Sequence, residues 1–367
     1  MVPNALPTGY SLQEYRIEKV LGVGGFGLTY LALDSNLNLK VAVKEFLPAD
    51  IAQRASDQSI GPRSPDTVES FGLGKQRFMD ESRTVASFRH PNIVRVMRFF
   101  EANGTAYMVM EFVEGAALAE WIKARRPLSE ALVTAIVAPL LEGLEVVHSA
   151  GYLHRDIKPG NIYVRVDGSP VLLDFGSARQ QATELTAVVS PGYAPFEQYH
   201  TQGRQGAWSD IYAMAGVLYW MVTGLKPHEA PARIRADEMA AALQAGDRVR
   251  FRPEFLAAID WALAPFDEQR PQSVAEWREA LLATDPSQVK TQTAQTHSLP
   301  LLPAEILKRA QERLTEYIGP VAGVVVKRAA VKARDEAELY LLLADEIENK
   351  EEKKAFVRQA VSISGKP

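Results

Sequence analysis

Eight residues constrain this chain more than any other stretch: His154-Arg155-Asp156-Ile157-Lys158-Pro159-Gly160-Asn161. They place an acid, a cation and an amide in one short loop. An apolar run, Val171-Leu172-Leu173, follows and ends in Asp174-Phe175-Gly176. A fold that turns both stretches toward one cleft brings two carboxylates and one amide together. Those oxygens suit a divalent metal bound to a nucleotide, and one carboxylate is left over for a hydroxyl.

The other parts must then supply a phosphate cradle, a cation and a platform, and the chain has room for them. Its 367 residues suit two or three domains, and its 47% hydrophobic content is ordinary for a globular protein. The net charge of -4, with no lysine- or arginine-rich block, argues against nucleic acid or anionic lipid as a partner. Cysteine is absent, which excludes disulfides and thiolate zinc sites and fits a reducing cytoplasm. The first residues lack the basic start and apolar core of a signal peptide. No apolar run reaches the ~18 residues of a spanning helix. The best candidate, Val321 to Val331, is broken by Lys327 and Arg328. The expectation is a cytoplasmic protein with no membrane span.

Taken in order, residues 1–14 read as a mobile lead. Tyr15 to Leu21 alternates like a half-buried strand, and Gly22-Val23-Gly24-Gly25-Phe26-Gly27 separates it from a second strand pattern, Leu28 to Leu33. A glycine-rich turn lets backbone N–H groups close over phosphates, although a merely flexible hairpin has the same composition. A dinucleotide site would need a helix after the glycines, and a strand follows instead. Val41-Ala42-Val43-Lys44 is a third strand whose lysine is a candidate phosphate clamp. Residues 48–74 read as a long loop, and Lys75 to Phe88 as a helix carrying Glu81. Val94 to Phe100 and Ala106 to Phe112 complete a small antiparallel sheet of about five strands. Val113-Glu114-Gly115 reads as a hinge into a mostly helical part.

There, Ser129 caps a helix running toward His148, with Pro139 expected to kink or break it. Ser209 to Thr223 is a strongly apolar, buried helix. Glu238 to Ala245, Pro253 to Leu263 and Val274 to Leu282 are further helices. Residues 284–300 are rich in Thr, Gln and Ser and read as a linker. Helical patterns follow at Pro303 to Ile318, Val321 to Lys332, Glu336 to Ile347 and Lys350 to Val361.

This ordered set resembles the protein kinase superfamily, and within it the Ser/Thr kinases of bacteria with a eukaryotic-like (Hanks-type) catalytic domain. The resemblance covers about Tyr15 to Ala283. It implies an α+β bilobal fold: a β lobe with one helix up to about residue 112 and a mainly helical lobe from about 116. A helical C-terminal module, 301–367, follows the linker.

The resemblance also implies roles. Gly22, Gly24 and Gly27 would cover the ATP phosphates, with Leu21, Gly25 and Phe26 completing the loop. Lys44 would bind the α- and β-phosphates and pair with Glu81. Asp156 would accept the proton of the substrate hydroxyl, and Lys158 would stabilise the transferring phosphoryl group. Asn161 and Asp174 would hold Mg2+, or Mn2+ in its place. Ala42, Met110, Glu111 and Val113 would line the adenine pocket. Thr29 and Tyr163 stand there in place of the family's usual valine and leucine. His154 is implied to be a packing residue beneath Asp174-Phe175, not the base, and His90 to be structural. The remaining histidines show no metal-ligand spacing.

The activation segment would run from Asp174 to Glu197. Ser190 would bond Asp156 and Lys158, and Glu197 would pair with Arg270. Asp210 would cap the catalytic-loop backbone. Arg155 would sense charge on the segment, with Thr183 and Thr186 as candidate phosphosites. The implied function is ATP-dependent phosphorylation of Ser and Thr on protein substrates, with residues 301–367 available for docking or self-association. Two other readings remain beside it: a pseudokinase scaffold that binds nucleotide without chemistry, and a small-molecule phosphotransferase.

Overall fold

The computed structural model describes residues 2–175, 189–200, 203–283, 302–318, 322–333, 336–344, 347, 353 and 356, and the backbone of 179–180. The chain divides into two units: Met1–Arg233 with Glu238–Thr284, and Ile234–Asp237 with Asp285–Pro367.

The first unit begins with a six-stranded antiparallel sheet. Its strands are β1 (Ser11–Leu12), β2 (Tyr15–Gly24), β3 (Gly27–Asp34), β4 (Leu39–Phe46), β7 (Val96–Ala102) and β8 (Thr105–Glu111), in the order β1-β2-β3-β4-β8-β7. The residues before Tyr15 are part of the fold, contrary to the mobile lead expected. Leu6 and Leu12 are buried, and the Leu6 N–H donates to the Tyr30 hydroxyl at 3.1 Å.

The stretch expected to be a long loop also has structure. It forms a small hairpin, β5 (Ala52–Arg54) with β6 (Ile60–Pro62), and then enters helix α1 at Val68. α1 (Val68–Ser87) packs on the sheet through Phe71, Phe78, Met79 and Val85. The helix therefore starts a turn or more earlier than periodicity suggested. Gly72 and Gly74, poor helix formers, hide its first turns from a propensity reading.

A short strand, β9 (Gly115–Ala117), leads into the helical lobe and helix α2 (Leu118–Lys123). Helix α3 (Glu130–Ser149) is capped by Ser129, whose Oγ accepts the Leu132 N–H at 3.3 Å. Pro139 lies inside α3 without ending it. Burial of Val133, Ile136, Val137, Leu140, Leu141 and Leu144 holds the helix through a residue that costs ~3 kcal/mol in a helix interior. Among the described residues, α3 is also the one helix long and apolar enough to cross a membrane.

Between α3 and the next long helix lie β10 (Tyr152–Leu153), β11 (Ile162–Arg165), β12 (Pro170–Leu172) and β13 (Arg179–Gln180). β11 pairs with both β9 and β12, and β10 with β13. Helix α4 (Ala207–Thr223) is buried along nearly its whole length and ends at Gly224 in the left-handed region. Then come α5 (Ala230–Arg235), α6 (Ala242–Ala245), α7 (Pro253–Ala262) and α8 (Val274–Leu282). The helix expected over 238–245 is confined to α6, and α5 precedes it. One continuous apolar core runs through this unit, from Leu6 to Leu281.

The second unit has its own core. Helices α9 (Ala304–Ile318), α10 (Ala322–Lys332) and α11 (Glu336–Ala344) bury Leu314, Val326, Leu339 and Leu343 against one another. The Phe356 ring packs edge-on to Tyr317 at 5.5 Å. The last expected helix, Lys350 to Val361, lies almost wholly outside the described residues.

Candidate active site

Strand alternation sets the first half of the site. β4 sends Val41, Val43 and Glu45 to one face of the sheet, and Ala42 and Lys44 to the other. Lys44 Nζ forms an ion pair with Asp174 Oδ1. The contact to Asp174 is direct, and the carboxylate of Glu81, the expected partner, adds its charge to the same lysine. Burial alone would lower the lysine pKa, but the carboxylates of Asp174, Glu81 and Asp156 outweigh it and raise the value above the ordinary one. Lys44 is therefore a cation held in a part-buried, acid-rich position.

The glycine-rich turn joins β2 to β3. Leu21, Gly22 and Gly24 lie on β2, Gly25 and Phe26 in the turn, and Gly27 and Thr29 on β3. Gly27 has φ +146, and a Cβ there would lie 1.9 Å from the Glu45 carbonyl oxygen. Only glycine fits. Around Gly22 and Gly25 nothing would meet a Cβ within 4 Å, so these two positions lie in open space. Ala42 pairs with Met110 in the sheet, Glu111 ends β8, Val113 follows it, and Tyr163 lies on β11. The Glu111 carboxylate accepts from Arg165 at 3.0 Å, tying the end of β8 to β11.

The loop from His154 to Asn161 supplies the second half. Lys158 Nζ donates to both Asp156 carboxylate oxygens, at 3.0 and 2.7 Å, and to Ser190 Oγ at 3.1 Å. Ser190 Oγ in turn donates to Asp156 Oδ1 at 2.6 Å. Asn161 Nδ2 donates to the Asp156 carbonyl and to its Oδ2, both at 2.8 Å. With its nitrogen so engaged, the Asn161 amide keeps its oxygen as an acceptor. The Leu173 N–H donates to the Asn161 carbonyl at 2.7 Å, so the loop and the Asp174 segment are joined directly.

His154 is fully buried beneath this arrangement. Its ring lies 4.4 Å from that of Phe175. Nε2 faces the Leu173 carbonyl at 3.1 Å, and Nδ1 faces the Asp156 N–H at 3.3 Å. A carbonyl can only accept and an amide N–H only donate, so the ring is neutral with its proton on Nε2. Burial, the largest influence, keeps its pKa below the ordinary histidine value. Neither nitrogen is available to a substrate.

Asp210, at the start of α4, holds the loop from behind. Its Oδ2 accepts the His154 N–H and faces His148 Nε2, and its Oδ1 accepts the Arg155 N–H, all at 2.8 Å. Burial would raise the pKa of this carboxyl, but His148, His154 and the Arg155 N–H overcome that and hold it below its ordinary value. Arg155 and Asp174 both have positive φ, 67° and 52°. Left-handed backbone at non-glycine residues costs of order 1–3 kcal/mol and persists only where surrounding bonds enforce it.

The end of the segment after Asp174 is anchored by Glu197. Its Oε1 accepts from Arg270 and from Ser209 Oγ, each at 2.8 Å. Arg270 is buried and also donates to the carbonyls of Ala264 and Pro265. Thr183 and Thr186 lie outside the described residues.

One polar cluster escaped the sequence reading. Glu45 is fully buried on the far face of β4, where its carboxylate accepts the hydroxyls of Tyr30 at 2.7 Å and Tyr107 at 2.6 Å, and pairs with Arg54. Burial and the nearby carboxylate push both phenols above their ordinary pKa, so they stay protonated donors. Arg54 comes from the β5–β6 hairpin, so the cluster pins that hairpin to the strand bearing Lys44. The one sequence signal was an acid in the apolar register of Val41 and Val43.

The oxygens of Asn161 and Asp174 are hard donors of the kind that divalent magnesium or manganese takes. No cluster of three or more His or acidic groups with metal-binding geometry occurs among the described residues, so such an ion would draw its remaining ligands from phosphate and water.

Comparison with known proteins gives the family of the chain. The family model described as protein kinase domain matches residues 15–295, and a domain of unknown function (DUF8082) matches 305–367. The chain is 33% identical over 282 residues to the serine/threonine-protein kinase PknA of Nostoc sp., covering 73% of this chain and 46% of that protein. It is 32% identical over 315 residues to PknB of Mycolicibacterium smegmatis, covering 79% and 47%. It thus spans about half the length of these relatives. The solved structure of PpkA-294 in its apo form matches with a TM-score of 0.67 and 38% identity, over 76% of this chain and 99% of that one.

Proposed function

This chain belongs to the protein kinase family, and on that premise we propose that it transfers the γ-phosphoryl group of ATP to Ser or Thr hydroxyls of proteins, itself included. The family uses ATP and a divalent metal in general; we propose magnesium for this chain. The observation that carries the reading is the arrangement of Asp156, Lys158 and Ser190, linked at 2.6–3.1 Å.

Each group then has one task. The Asp156 carboxylate accepts the proton of the incoming hydroxyl and directs its oxygen; such a positioned base contributes ~10²–10⁴ in rate. Lys158, already at the carboxylate, places its ammonium beside the phosphoryl group in transit. Lys44 supplies a fixed cation to the α- and β-phosphates, and Glu81 and Asp174 keep it charged. The open glycine loop lets backbone N–H groups close over the phosphates. Asn161 and Asp174 would hold the divalent cation, which offsets charge on the phosphate oxygens. Positioning and charge compensation are the main sources of catalysis. Thr183 and Thr186 are proposed as autophosphorylation sites whose charge Arg155 would meet. The cysteine-free composition suits the cytoplasm. Residues 301–367 are proposed as a docking or self-association unit, to be tested by light scattering with and without them.

Incubation with labelled ATP, magnesium and a generic basic protein tests the core of this reading, beside an Asp156→Asn variant. Label from the parent chain alone is expected. Label in neither sample would turn the reading toward a scaffold, and equal label in both would remove Asp156 from the mechanism.

A further inference from the structure

The linear sequence has no basic block, yet the fold assembles one. Lys123-Ala124-Arg125-Arg126-Pro127-Leu128 leads from α2 to α3, and Asp247-Arg248-Val249-Arg250-Phe251 leads from α6 to α7. The two segments meet at a cavity of about 340 Å³. Its apolar lining includes Leu128, Met221, Val222 and Phe251, all buried, and Arg126 and Arg250 stand among its lining groups.

The arginines are held but not exhausted. Arg126 donates once, to the Trp220 carbonyl at 2.9 Å, and its guanidinium lies 5.8 Å from the Trp220 ring centroid. A guanidinium has five N–H donors. Arg250 faces Asp247 at 3.3 Å, an exposed pair of little strength. Arg125 and Arg248, next to these residues in sequence, each donate to a backbone carbonyl, of Trp121 and Leu243. Arg252 differs, being committed to Glu130 and to the Ala283 carbonyl. Asp247 is the acidic member of the lining and already accepts the Val249 N–H at 2.9 Å. Two guanidiniums against one carboxylate therefore leave a single positive charge beside a cavity with an apolar floor, and Val249, 96% exposed, lies next to Arg250 in sequence.

We infer that this cavity is a docking site for an acidic linear segment of a partner protein, one large apolar side chain entering the hole while flanking Asp or Glu side chains meet Arg126 and Arg250. The apolar lining distinguishes this ligand from a nucleic acid or a lipid headgroup, which would use the arginines and leave the hole unfilled. The site sits at the far end of the helix that holds the catalytic loop. Asp210 and Val222 are twelve residues apart on α4, or ~18 Å at 1.5 Å per residue. A docked segment would leave the cleft open to its own substrate. That use rests on the kinase reading; the binding itself does not.

The test is fluorescence anisotropy on the full chain without ATP, so its outcome is separate from that of the Asp156→Asn assay. The probe is a short labelled peptide with one Phe between Asp and Glu residues. Saturable binding is expected, weakened about tenfold or more by Arg250→Glu and by replacing the peptide Phe with Ser. Arg126→Glu provides a second variant if Arg250→Glu does not fold, as judged by its unfolding midpoint. No saturable binding, equal binding of the Ser peptide, or unchanged affinity in a folded variant overturns the inference. So does tighter binding at this surface of a single-stranded oligonucleotide or of anionic vesicles.

Discussion

Replacing Asp210 with Asn keeps the side chain's shape and exchanges one acceptor oxygen for an NH2 group. With the amide nitrogen at the Oδ1 position, the Arg155 N–H faces a second donor. With it at the Oδ2 position, the His154 N–H does. In that orientation His148 must also move its proton to Nδ1, an atom with no hydrogen-bond partner among the described residues. Either way one buried backbone N–H loses its acceptor, at a cost of ~1–3 kcal/mol. The two surviving bonds change from charged to neutral and lose ~1 kcal/mol each. Because its partners already hold the Asp210 carboxyl below its ordinary pKa, removing the charge adds to the loss instead of relieving it. The expected total is about 3–5 kcal/mol, a large share of the ~5–15 kcal/mol typical of a domain. Urea unfolding followed by tryptophan fluorescence measures it. All five tryptophans (Trp121, Trp208, Trp220, Trp261 and Trp277) lie in the first unit, so the signal reports that unit alone. Activity should fall further than stability explains, about 10²-fold if Asp156 shifts by ~1 Å, because the strained Arg155 backbone loses its restraint. A loss below ~1 kcal/mol would refute the account of Asp210 as the anchor of the loop.

Other perturbations follow the same logic. Arg270→Ala should cost ~3–5 kcal/mol by leaving the Glu197 carboxylate buried and unpaired; a melting temperature like the parent's would count against that pair as an anchor. Gly27→Ala should lower the unfolding midpoint, since its Cβ would meet Glu45 and Leu47 backbone atoms, while Gly25→Ala should not; equal midpoints for the two would contradict the geometry of the turn. His154 has a folded pKa below its unfolded one, so its contribution is present above ~6.5 and is lost as pH falls below that value. Asp267, raised to about 6, acts oppositely, its contribution being lost as pH rises through about 6. The parent chain should therefore lose more stability between about pH 7.5 and about 5.5 than His154→Gln does, and equal losses would disprove the neutral, buried ring.

The candidate groups were legible because they are local. Asp156, Lys158 and Asn161 sit within six residues of one another, and a loop that short delivers them to one place in nearly any fold that buries Ile157 and Ile162. The strand pattern Val41-Ala42-Val43-Lys44 likewise marked Lys44 as a candidate phosphate clamp. The start of helix α1 is hidden in the sequence because glycines at 72 and 74 conceal a helix whose stability comes from packing on the sheet. Pro139 is a break signal in the sequence for the same reason: its local cost of ~3 kcal/mol is offset by burial that periodicity does not weigh.

Residue types and short spacings thus carried the resemblance that pointed to the family and the fold class, and they named the candidates for the site. Only the tertiary structure decided the pairings between distant residues. Lys44 meets Asp174 directly, Asp210 reaches back to His148 and the catalytic loop, and Arg54 pins a hairpin to Glu45. The arginines of two separate loops converge on one cavity in the same way. Hydrogen bonds and ion pairs act over a few ångströms, and closeness on that scale between residues far apart in sequence exists only once the chain has packed.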